Sequence, residues 1–178
     1  DSPPSPFEGN SPFMYIAPFA ARHYYKAAVE SLKILQKELQ IQLALTKNDF
    51  RIFCNSKIPE KWLAQTAGIG KFGKNNLIIN RRFGTRFVIA VLFFKKNLIN
   101  KLPPSLFGQN SANPCDNCRK CVDACPVNAL SGDGGLNTTR CLQAKATKLE
   151  NWDEETRKIW GRRLYGCEIC QLVCPYNR

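Results

Sequence analysis

The feature that most restricts this chain is a run of four cysteines, Cys115-x-x-Cys118-x-x-Cys121-x-x-x-Cys125, followed at once by Pro126. Three thiols at intervals of three can be presented by one tight loop to three irons of a cubane. The fourth, turned away beside its proline, ligates a neighbouring cluster instead. The pattern returns as Cys141, then Cys167-x-x-Cys170-x-x-x-Cys174-Pro175, with its first interval stretched by an insertion. The reciprocal rule then assigns all eight. Cys115, Cys118, Cys121 and Cys174 go to one [4Fe–4S] cluster, and Cys125, Cys141, Cys167 and Cys170 to the other. Zinc is the competing reading. It favours separated Cys-x-x-Cys pairs, so the triplet suits it poorly, and it gives the two prolines no purpose. Two clusters linked in this way form a two-step electron wire.

The ninth cysteine, Cys54, stands alone in the first 114 residues. An odd total does not suit a closed disulfide framework, so a reducing, cytoplasmic setting is expected. The longest apolar run, Phe87 to Phe94, has eight residues and reads as a buried strand, far short of a membrane span. No signal peptide is visible, because Pro3, Pro4, Pro6, Pro12 and Pro18 break the first nineteen residues. The formal net charge is +12. Much of it is local: Lys61, Lys71, Lys74, Arg81, Arg82, Arg86, Lys95, Lys96 and Lys101 occur between Lys61 and Pro114 with no Asp or Glu among them. Such a stretch attracts phosphates, or it is simply a solvated basic face.

The remaining pattern predicts an α+β chain with a boundary near residue 110, giving regions 1–110 and 111–178. Residues 1–19 read as loop. An amphipathic helix is expected over Ala20 to Leu39, with a Lys26–Glu30 pair on its surface. His23, the only histidine, falls at its start as a helix-surface residue. Arg51 to Cys54 is a short strand, and Pro59 opens a second helix that stops at Gly68. Leu77-Ile78-Ile79 and Phe87 to Phe94 look like two strands of one hairpin. The glycines of Ala67-Gly68-Ile69-Gly70-Lys71-Phe72-Gly73-Lys74 lack the Walker spacing, so they suggest a tight backbone approach to some other bound group. Arg162 and Arg163 could meet a phosphate or offset the negative clusters. Trp62, Trp152 and Trp160 read as packing residues.

Beyond the cysteines, the chain resembles the epoxyqueuosine reductases, which complete the tRNA nucleoside queuosine. The resemblance rests on Ala67-Gly68-Ile69-Gly70 with Lys74-Asn75, on Arg140-Cys141, and on the block from Arg163-Leu164-Tyr165-Gly166-Cys167-Glu168 through Cys170-Gln171 and Val173-Cys174-Pro175 to Asn177. It implies a partial nitroreductase-like α/β N-terminal half and a ferredoxin-like double [4Fe–4S] domain. It also implies cobalamin beside the first cluster, with Lys74, Asn75 and Glu168 on the cobalamin side. A ferredoxin or flavodoxin would supply electrons, cobalt would receive them, and the epoxide of the tRNA base would be reduced. Cys54 stands where the family has its proton-donating aspartate, and Val91 where an acidic residue is usual. Cys54 is therefore an altered proton donor, a cobalt-facing thiol or a plain buried cysteine. Two other functions stay open: a non-catalytic ferredoxin-like carrier that has lost cobalamin and substrate sites, and an RNA-binding module with structural clusters.

Overall fold

The computed structural model describes residues 12–95, 113–148 and 152–177. They fall into two compact units that are not contiguous in sequence. One takes the described residues of 23–73 and 77–114, and the other those of 1–22, 74–76 and 115–178. The expected boundary near 110 lies outside the described residues. A single cut would also misplace two segments, since residues 12–22 and 74–76 group with the cysteines.

In the first unit, helix α1 (Tyr24–Leu43) begins later than its periodicity suggests. His23 supplies the reason: its Nδ1 accepts the Lys26 backbone N–H at 3.2 Å, capping an otherwise unpaired donor. The helix ends at Ala44, whose φ of 52° is left-handed, and the Ala44 N–H closes on the Gln40 and Ile41 carbonyls. Glu30 pairs with Lys33 at 2.8 Å instead of with Lys26. Helix α1 packs against strands β2 (Phe50–Cys54) and β5 (Ala90–Phe94), which run antiparallel with Phe50 opposite Phe94 and Cys54 opposite Ala90.

That pairing corrects the expected hairpin. The Phe87 to Phe94 run does not return along Leu77 to Ile79. Strand β4 (Ile78–Ile79) pairs instead with β3 (Lys71–Phe72), just before it in sequence. The turn after β4 explains the separation. Asn80 Oδ1 accepts the N–H groups of Arg82 and Phe83 at 2.8 and 3.1 Å, and Asn80 and Gly84 exchange two backbone bonds. Released beyond that turn, β5 reaches β2, where the Phe50–Phe94 and Phe53–Phe93 rings lie 5.9 and 5.7 Å apart. Aromatic pairs of this kind contribute about 0.5 to 1.5 kcal/mol each beyond area burial. Helix α2 (Glu60–Thr66) starts directly after Pro59, buries Ala64 and packs on β3, β4 and β5. The glycine loop also departs from expectation. A Cβ at Gly70 would collide with the Ile79 carbonyl, so its close approach is to this chain's own strand β4.

In the cysteine-rich unit, the Pro-rich lead-in is not all loop. Strand β1 (Tyr15–Ile16) lies parallel to β6 (Arg163–Tyr165), and a 3₁₀ turn follows at Pro18–Ala20. Short helices α3 (Lys120–Asp123), α4 (Leu142–Ala146), α5 (Glu154–Trp160) and α6 (Ile169–Leu172) carry or flank the cysteines. Asp153 caps α5 by accepting the Thr156 N–H at 2.6 Å. Trp152 meets Trp160 edge to face at 4.7 Å, the packing role expected for both. The core is Cys121, Val122 and Leu130, with Cys125, Leu136, Cys170 and Val173 packed against it.

Candidate metal centre

Helices α3 and α6 pack on each other and hold equivalent positions of the two cysteine motifs, Cys121 and Cys170. Around them the thiols divide into two groups that can be read from their mutual repulsion. Burial pushes Cys121 up from its ordinary range; Cys115 and Cys118 add to that, and Cys174 adds less. Cys174 is likewise raised by burial and then by Cys115 and Cys118, with a backbone hydrogen bond at Tyr176 acting in the opposite sense. Cys174 therefore lies near thiols almost sixty residues earlier, not beside its sequence neighbours alone.

The second group is the mirror of this. Burial raises Cys167, with Cys141 and Cys125 contributing, while a backbone bond at Ile169 and the Arg163 guanidinium work against it. Cys170 is pushed up to about 12, first by burial, then by Cys167, Cys121, Cys141 and Cys125. Cys121 is the member through which the two groups approach each other. Thiols held up in this way keep their protons until a metal displaces them. A cationic cluster core relieves the mutual repulsion of the thiolates, so the donor set fits the group its spacing implies. Among the described residues, no three His, Cys, Asp or Glu side chains converge as ligands of a single metal ion would.

The other predicted residues fall into different places. Lys74 donates its backbone N–H to Cys115 Sγ at 3.3 Å and its ammonium to the Asp116 carbonyl at 2.6 Å. Asn75 is buried at 5% exposure. Glu168 is buried at 2%, and its carboxylate accepts the Tyr15 hydroxyl. Cys54 belongs to the other unit, where its thiol donates to the Ile89 carbonyl at 3.4 Å and burial raises it. Among the basic residues, Arg81 and Arg82 are exposed on the Asn80–Gly84 turn, and Arg82 stacks on the exposed Phe83 ring at 5.1 Å. Lys61 is partly buried over Phe72, and burial lowers it. Lys96 and Lys101 lie outside the described residues.

Several contacts have no clear signal in the sequence. Arg163 is buried at 3%, donates to the Ile159 carbonyl at 2.9 Å and to the Trp160 carbonyl, and lies 5.8 Å from the Trp160 ring. Gln143 accepts the Cys167 N–H at 2.9 Å. Arg162 donates twice to the Phe13 carbonyl, at 3.1 and 2.8 Å. Gly166, with a φ of +97°, faces Ala17 and the Phe19 ring so closely that a Cβ there would clash with both. A glycine just before Cys167 is the one hint the sequence offers.

Comparison with known proteins supports a double-cluster region. Residues 114–177 match the family model described as a 4Fe-4S double cluster binding domain. An epoxyqueuosine reductase of Vibrio cholerae is 34% identical over 167 residues, and that of Escherichia coli K12 is 35% identical over 167 residues. Each alignment covers 92% of this chain but only 43% and 42% of the relative. The chain thus spans under half the length of these curated relatives. Among solved structures, epoxyqueuosine reductase from Streptococcus thermophilus superposes with a TM-score of 0.75 at 32% identity, covering 87% of this chain and 40% of that one. Another, solved with an epoxyqueuosine-modified tRNA stem loop, gives 0.65 at 31% identity, covering 86% and 39%. The fold is mixed α/β with a ferredoxin-like double [4Fe–4S] region at its C-terminal end.

Proposed function

We propose, on the premise that this chain is a homologue of the epoxyqueuosine reductases, that it carries electrons through two [4Fe–4S] clusters toward reduction of epoxyqueuosine in tRNA. The observation that carries this reading is the crossing of the thiols. Helices α3 and α6 pack together and Cys121 shares a core with Cys125 and Cys170, while Cys115 and Cys118 help to raise Cys174, and Cys125 helps to raise Cys167 and Cys170. In this reading Cys115, Cys118, Cys121 and Cys174 hold the first cluster, and Cys125, Cys141, Cys167 and Cys170 the second. Each cysteine-proline corner delivers its thiol to the other motif's cluster, which keeps the two close enough for rapid electron transfer.

The N-terminal half is read as part of a nitroreductase-like α/β domain, supported by α1 lying on the β2–β5 pair. Cobalamin is the next carrier in this proposal, and when bound it would supply the cobalt-centred reduction of the epoxide. Of the residues on its side, Lys74 is partly exposed, whereas Asn75 and Glu168 are covered. Arg81, Arg82 and the other exposed basic residues would draw tRNA phosphates. A ferredoxin or flavodoxin in the cytoplasm would supply the electrons.

The carrier reading, in which cobalamin and substrate are not bound, is favoured by one specific observation. Cys54 donates a hydrogen bond to the Ile89 carbonyl and is raised by burial, which supports reading it as a plain buried cysteine. Titration of the reconstituted protein with cobalamin and with epoxyqueuosine-modified tRNA, each at two ionic strengths, separates the readings. The reductase reading expects a base-off cobalt spectrum and tRNA affinity that falls steeply with salt. Intact clusters with neither response would establish the carrier.

A further inference from the structure

The strongest feature outside the cysteines themselves is the three-residue segment 74–76, which reaches the cysteine-rich unit from a distant part of the sequence. Three of the hydrogen bonds that seat it come from Lys74 and Asn76. The Lys74 backbone N–H points at Cys115 Sγ at 3.3 Å, the Lys74 ammonium holds the Asp116 carbonyl at 2.6 Å, and Asn76 Nδ2 donates to the Gly134 carbonyl at 2.7 Å. The clamp acts on a strained place. Asp116 has a φ of +36° and Asn76 of +60°, left-handed conformations that a non-glycine residue adopts at a cost.

We infer that Lys74 is a positioning residue for the first cluster. Its ammonium fixes the Asp116 carbonyl, the fixed loop keeps the Lys74 N–H on Cys115 Sγ, and that bond raises the cluster's reduction potential. The physical reason is charge. An added electron makes the cluster and its thiolates more negative, and an N–H dipole aimed at sulfur stabilises that state more than the oxidised one. The second set has a comparable bond, from the Ala129 N–H to Cys125 Sγ at 3.3 Å, but it is made four residues away within the same turn. The bond to Cys115 spans 41 residues. The local bond forms with its motif; the long-range one exists only while segment 74–76 is seated. Lys74 therefore couples the potential of the first cluster to the seating of that segment.

This inference rests on the two-cluster reading, and one preparation tests both separately. The full chain, reconstituted with iron and sulfide, is titrated potentiometrically and followed by paramagnetic resonance, for the parent, Lys74→Met and Lys74→Arg. Iron content near eight per chain in the parent upholds the reading itself. Lys74→Met should shift the first cluster's reduction equilibrium about tenfold toward the oxidised state, ~59 mV for a one-electron couple. The second cluster should not move, and Lys74→Arg, which keeps a cationic donor, should stay near the parent. Should Lys74→Met fail to assemble, parent protein labelled with ¹⁵N-lysine decides the matter. A nitrogen coupling to the reduced first cluster that disappears in Lys74→Arg supports the bond. An unchanged potential in an intact Lys74→Met protein, or no lysine coupling in the parent, overturns the inference.

Discussion

The two cysteine sets share one motif and differ in what surrounds it. In the proposed assignment the first set is completed from elsewhere: Cys174 comes from nearly sixty residues later than Cys115 and Cys118, and the Lys74 amide from segment 74–76. The second set is packed into charged and polar interior. Arg163 and Glu168 are almost fully covered there, Gln143 holds the Cys167 N–H, and Cys170 is pushed up to about 12. A buried arginine beside Cys167 lowers the cost of negative charge there. The lesson is that spacing decides which sulfurs meet, whereas the chain around them decides how easily each site accepts an electron.

The comparison is broken most severely by removing a ligand that lies outside the contact between the sets. Cys118→Ala should abolish the first cluster and, because metal binding is folding energy here, destabilise the cysteine-rich unit far more than Cys54→Ala does. The latter removes one thiol from the other unit and should cost about 1 kcal/mol. Iron analysis with thermal unfolding measures both, and equal losses would mean that Cys118 is not a ligand. Next in size is Cys125→Ser. If the corners cross, the second cluster's resonance changes while the first persists, although Cys125 is contiguous with the first motif. Loss of the first signal alone would make the assignment local and remove the ferredoxin-like topology with it. The smallest expected effect is that of Gly166→Ala. Its Cβ would strike Ala17 and Phe19 in a left-handed backbone, so a destabilisation of roughly 1 to 3 kcal/mol is expected from overpacking. Because Cys167 follows directly, the second cluster should become labile to chelators first. A first cluster equally labile would show that the β1–β6 junction serves both sets alike.

How much of the molecule is legible in its sequence follows the length scale of each signal. The eight cysteines carry a double-cluster pattern in their intervals, and residues 114–177 match a family model of that kind. Helix α1 announces itself over twenty residues, although its start depends on a histidine cap that periodicity does not encode. Strands β1, β3 and β4 have two residues each, too short for any alternation to register. The hairpin expectation fails for a related reason. Adjacent apolar runs suggest adjacent strands, but the Asn80 turn closes on itself and leaves β5 to find aromatic partners on β2. Lys74 and Glu168 are marked out by resemblance, yet their contacts are long-range. Nothing local says that an amide will face Cys115 or that a glutamate will meet Tyr15.

The Tyr15–Glu168 hydrogen bond and the β1–β6 strand pair carry a consequence for the birth of the molecule. The bonded residues are 153 positions apart. At a translation rate of about 5 to 20 residues per second, the first strand waits roughly 7 to 30 s on the ribosome before its mate is made. The thiols of Cys115 to Cys125 emerge within that wait, before Cys174 exists to complete their set. They spend the interval as naked nucleophiles in a half-made chain. The hazard of oxidation is therefore greatest during synthesis, and a cell that makes this protein well must deliver iron and sulfur promptly once Cys174 has emerged.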